Sequence, residues 1–281
     1  MTSPAIAPPL PERPHPASLY MRRIWGLALR HLYLYLGSWP RLVEIAYWPI
    51  VNILTWGFVS LYMLKTLTDV KILSAVFLTG VILGELLIRS SISLLMLFID
   101  EIWSRNLGHL FASPLTFTNY TVGVLVLCLL RTAFSITPAI LVAQGLFHFS
   151  LFGLGAPLAL FMLLIFINGC WYGLLVLSLI LRNGLAAEWI GWMMIFGLIP
   201  LVAPYYPVSV LPAWMQAISW SLPATYVFAS MKSLIGGHGL HTAYLWKALA
   251  LNVFYFAAAS AVFYAAYRGA RRRGGLLQVG E

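Results

Sequence analysis

Glu85, Arg89 and Arg131 stand inside long apolar runs. An ionisable side chain at mid-bilayer costs at least about 2.5 kcal/mol unless it finds a partner or a wet cavity. Glu85 precedes Arg89 by four residues, the favourable order for a pair on one helix face. Counted inward from the ends of their runs at about 1.5 Å per residue, Glu85 and Arg131 fall at similar depths. The expected arrangement is a Glu85 carboxylate bridging Arg89 and Arg131. Its chemistry would be to clamp two helices together or to contact a substrate. Glu44 and Glu188 lie near the ends of their runs, where water is within reach.

A second charged set interrupts the apolar pattern at "DEIWSRNLGHLFASPLT", which begins at Asp100. Asp100 and Glu101 are expected in the first turn of a short helix, favourable near the positive end of its dipole. Leu107, Leu110 and Phe111 recur at helical spacing, and "SPLT" supplies a stop and a restart. Such a helix either receives force from a partner or rests on lipid headgroups, and periodicity leaves both open. Covalent chemistry has no comparable candidates. His238 and His241 lack the further ligands that a zinc site needs. No Ser, His and acid set nominates a triad. The lysines follow Leu64, Val70, Met231 and Trp246, so there is no G-x-x-x-x-G-K-[ST] loop to cradle phosphates. Cys128 and Cys170 fall within apolar runs and read as small buried hydrophobes.

The elements that must position these groups are transmembrane helices. Apolar residues make up 61% of the chain and charged residues 9%, and several runs exceed the roughly 20 residues that a spanning helix needs. Runs at about 42–64, 72–99, 117–147, 153–181, 185–204 and 243–267 predict an all-α integral membrane protein with about six spans. Residues 1–18 are proline-rich and predict a disordered cytoplasmic tail. Residues 19–41 mix arginines with Trp, Leu and Tyr as an interfacial amphipathic helix would, and 269–281 form a basic tail. With the N-terminus inside, Arg13, Arg22, Arg23, Arg30, Arg41, Arg105, Arg182, Arg268, Arg271, Arg272 and Arg273 fall on one side, and Lys65, Lys71, Lys232 and Lys247 on the other. That asymmetry places both termini in the cytoplasm and makes a nucleic-acid surface the poorer reading of the net charge. Between spans five and six, Pro207, Pro212 and Pro223 cut an outer segment into pieces too short to span. With Trp214 this segment reads as short re-entrant helices forming an outer gate, or as a loop anchoring two helix ends.

Glu101, Arg105, Leu107, Leu110, Ser113, Pro114 and Leu115, followed by "YPVSVLPAWMQ" and "SLPATYVFASMKSLI" on the opposite side, resemble in kind and order the motifs of the ABC-2 type permease family. These are the membrane subunits of ATP-driven exporters. The resemblance covers nearly the whole chain after the proline-rich tail. His109 departs from it, since a further basic or acidic residue is usual there. The resemblance implies that residues 101–114, with Glu101, Trp103, Arg105, Leu107, Leu110, Phe111, Ser113 and Pro114, form a coupling helix docking on a separate ATPase subunit. That partner would hold ATP and Mg, with no cofactor in this chain. It further implies a second copy of the chain, or a related permease, in the bacterial inner membrane, and export of a drug-like amphiphile, a lipid or a lipid-linked glycan. An ion- or proton-coupled secondary transporter would instead show paired interrupted helices or an internal repeat. An intramembrane enzyme would need reactive groups at matched depth.

Overall fold

The computed structural model describes residues 25, 26, 29, 30, 33, 35, 37–66, 71–103 and 117–272. Among them are eight α-helices and no strand: α1 (Trp39–Thr66), α2 (Lys71–Trp103), α3 (Phe117–Phe147), α4 (Ala156–Asn183), α5 (Glu188–Val202), α6 (Ala213–Ser221), α7 (Pro223–Ile235) and α8 (Thr242–Arg272). Five of them, α1, α2, α3, α4 and α8, are long and apolar enough to cross a membrane. In hydrocarbon a helix satisfies its own backbone polar groups, so a chain of this composition has few alternatives.

The expected fifth span at 185–204 differs. A 3-10 turn at Leu185–Ala187 precedes α5, and Ala203 ends it in the left-handed conformation at φ 48°. The 15 residues left rise about 22 Å at 1.5 Å each, less than the roughly 30 Å of a hydrocarbon layer. Even so, α5 links the two ends of the bundle. Gly191 near its start abuts Val176 of α4, and Pro204 beyond its end rests on Gly80 near the start of α2.

Close approaches set the helix directions. Gly169 and Gly173 of α4 lie against Ser90 and Ser91 of α2, so these two helices run parallel. A side chain at Gly169 would overlap the Ser90 hydroxyl; small residues four apart let two backbones meet where lipid offers no hydrophobic drive. Helices α1 and α3 run parallel on the other side, where Ser135 of α3 donates to the Ile45 carbonyl of α1 at 2.6 Å. That bond has a local cause: Pro49 in α1 has no N–H to return to Ile45, and Ser135 satisfies the carbonyl it leaves. One apolar core gathers Leu94, Leu95 and Phe98 with Leu174 and Leu177, and a second gathers Ile82, Leu83 and Leu87 with Phe161, Leu164 and Phe228.

Candidate functional site

Glu85 is the centre of a buried polar group. Its Oε1 accepts from Arg89 Nε at 2.6 Å, and its Oε2 accepts from Asn52 Nδ2 of α1 at 2.7 Å. The expected bridge to Arg131 does not form. Asn52, a lone amide in the first apolar run, already occupies the second carboxylate oxygen. The long Arg131 side chain instead reaches toward the end of α2, in the manner of snorkelling arginines. There it donates to Tyr35 Oη at 2.6 Å and lies 3.9 Å from Asp100 Oδ2.

Above Glu85 the linker after α5 closes over α2. Gly80 and Gly84, one turn apart, leave a seat for Pro204 and Tyr205: the Tyr205 hydroxyl lies beside Gly84, and its ring stacks on Trp56 of α1 at 5.8 Å and tilts against Phe77 of α2 at 5.5 Å. Burial, with the nearby Glu85 charge adding, pushes the Tyr205 phenol up to about 12, as expected when both make the phenolate costly. The linker is held from behind by Lys232 of α7, which donates to the carbonyls of Ala203 and Tyr206. Burial pushes the Lys232 ammonium down to about 8.

Toward the other end of α2, Asp100 and Glu101 continue that helix and do not begin a new one. The apolar run simply continues as helix through them, so two acids stand at the edge of an apolar span. Arginines compensate. Arg30 donates to Glu101 Oε1 at 2.6 Å, and Arg131 and Tyr35 gather around Asp100. Glu101 is only 1% exposed, so the residue expected to dock a partner faces inward and ties the N-terminal segment to α2. Trp103 closes α2. Arg105, Leu107, Leu110, Phe111, Ser113 and Pro114 lie outside the described residues.

The prolines expected on the outer side begin elements more than they break them. Pro207 precedes the 3-10 turn Val208–Val210, Pro212 precedes α6, and Pro223 opens α7, where a missing N–H costs nothing. With 9 and 13 residues, α6 and α7 are too short to span. Trp214 is exposed, whereas Pro223 and most of α7 are buried against α4 and α8. Sequence reasoning passed over Asn52, Tyr35 and Tyr205. A polar residue within an apolar run was the available signal for the first, and the four-residue glycine spacing at Gly80 and Gly84 for the seat of the third.

Comparison of the chain with known family models and with curated proteins gives no match. Among the described residues no three His, Cys, Asp or Glu side chains converge as metal ligands would.

Proposed function

We propose that this chain is the permease subunit of an ATP-driven ABC-2 type exporter, working as two copies, or one copy and a related permease, around a translocation path above an ATPase pair. The observation that carries the reading is the course of α2. This one 33-residue helix bears the acids Asp100 and Glu101 at one end, the Glu85–Arg89 pair at its middle, and the Gly80–Gly84 seat of the outer linker near the other. A displacement applied beyond Trp103 is delivered by a rigid helix to the charged centre and to the aromatic residues over it. In this proposal the ATPase subunits dock on 104–116, and ATP binding shifts α2 against α1 and α3. The linker around Tyr205 then opens outward. Both termini face the cytoplasm of a bacterial cell, and the membrane is its inner one.

The test is purification of the full chain from its native membrane, followed by identification of what accompanies it. An ATPase subunit that co-purifies, and ATP-dependent movement of an amphiphile into inverted vesicles holding both proteins, is the expected result. Movement driven by a proton or sodium gradient, without an ATPase, would replace this reading with that of a secondary transporter.

A further inference from the structure

The Glu85–Arg89 pair is not closed on itself. Glu85 takes the Nε edge of the guanidinium, and its other oxygen is committed to Asn52. The remaining edge of Arg89, with its terminal nitrogens, has no partner among the described residues. The side chain is 13% exposed where Glu85 is 3% exposed, so this edge is the reachable part of the pair. The apolar span of α2 runs from Ile72 to Glu101, and its midpoint falls between Glu85 and Arg89. The Tyr205 hydroxyl, beside Gly84, makes no hydrogen bond among the described residues either.

These donors are reachable and not sealed in the core, and at the middle of an apolar span a charged donor without a partner has no water in compensation. The two parallel N–H bonds on the open edge of a guanidinium match the two oxygens of a carboxylate or phosphate. An oxyanion reaches this depth only on an apolar carrier. Tyr47 and Trp48, exposed on α1 beside Pro49 and close before Asn52, offer apolar surface to such a carrier. We infer that Arg89 binds the phosphate or carboxylate headgroup of an amphiphile, with Tyr205 beside it and Glu85 holding the guanidinium in place. That this amphiphile is the exported substrate rests on the permease reading above; that the site binds it does not. Because Glu85 already neutralises Arg89, the bound anion is held by hydrogen-bond geometry more than by net charge, which keeps it releasable.

The sign of one substitution separates this from a structural pair. The full chain in neutral micelles is titrated calorimetrically with dodecyl phosphate and, separately, with inorganic phosphate. Glu85→Gln keeps the shape but frees the arginine charge, so it should bind dodecyl phosphate about tenfold more tightly than wild type. Arg89→Lys should bind it about tenfold more weakly, the worth of one charge-assisted hydrogen bond. Glu85→Gln combined with Arg89→Gln, which leaves no buried charge to destabilise the fold, should show no saturable binding. Equal affinity in all four proteins would mean partition into the micelle and would overturn the inference, and so would inorganic phosphate binding as tightly as dodecyl phosphate. An ATPase partner without dodecyl phosphate binding would sink this site alone. Binding by a chain that proves to have no such partner would sink the permease reading alone.

Discussion

The two faces of α2 are built on different physics. Toward α4 the contacts are neutral and closed, since Gly169 and Gly173 admit α2; α4 is in turn fixed to α8, whose Asn252 donates to the Leu164 carbonyl at 3.1 Å and accepts from Trp171 Nε1 at 2.9 Å, with Tyr255 stacked on Trp171 at 4.8 Å. Toward α1 and α3 the contacts are charged and incompletely matched, with Glu85, Arg89, Arg131 and Asp100 sharing Asn52 and Tyr35 as neutral partners. A face of small residues and satisfied amides has one good arrangement, because any displacement opens a void or orphans a donor. A face of long charged side chains can exchange partners at lower cost. Under the proposed function, α4 and α8 would be the scaffold and the α1–α2 seam the place where movement or a ligand is accommodated.

The largest expected effect breaks the charged side. Glu85→Leu should cost about 3–5 kcal/mol by leaving Arg89 buried without its acid, and adding Arg89→Leu should recover most of it. A double-mutant cycle on thermal stability in one detergent checks this. Glu85→Leu and Arg131→Leu should add without coupling, since those residues do not meet. Strong coupling between Glu85 and Arg131 would restore the bridge that the sequence suggested.

Next come the glycines of the closed side. Gly169→Ala or Gly173→Ala should cost about 1–3 kcal/mol through overpacking against Ser90 and Ser91. Gly197→Ala in α5, where an added methyl meets nothing within 4 Å, is the control and should be harmless. The same melting curves read all three. Unequal costs are the expected outcome; equal ones would mean that α2 and α4 do not approach closely.

A comparable effect of opposite sign is expected at Asn168, the exception on the closed side. Its amide is buried with neither Oδ1 nor Nδ2 partnered among the described residues. Asn168→Leu should therefore raise stability, by about 1–3 kcal/mol at most, seen as a higher melting temperature. A loss of stability would show that the amide has a partner, such as a bound water.

A further effect concerns the linker over the charged centre. Burial pushes the Lys232 ammonium down to about 8 from its ordinary 10.5. Between those values the unfolded chain holds more protons, so this group makes stability rise with pH from about 8 to 10.5. Tyr205 acts oppositely: its phenol is raised to about 12 from 10.0, so the unfolded chain loses that proton first and stability falls above pH 10. Melting temperatures between pH 8 and 10 should rise in wild type and flatten in Lys232→Met. The same slope in both would remove Lys232 from the account.

Five of the six expected long apolar helices and the existence of the charged centre were legible in the residues themselves. A long apolar run has no other stable form in hydrocarbon, and Glu85 and Arg89, one helical turn apart, meet on any α-helix. Local signals also marked Pro207, Pro212 and Pro223 as boundaries between short elements. Three things needed the tertiary structure. Which acid Arg131 would choose depended on side-chain reach and on Asn52 of another helix, and depth counted along one chain contains neither. That Asp100 and Glu101 would continue α2, each with an arginine beside it, depended on Arg30 and Arg131 being brought there by other segments. That Tyr205 would stand over Glu85 depended on two glycines in α2 receiving a linker more than a hundred residues away in sequence. Periodicity reports how one helix presents its faces; which face meets which neighbour is decided by shape, and shape belongs to the assembled bundle.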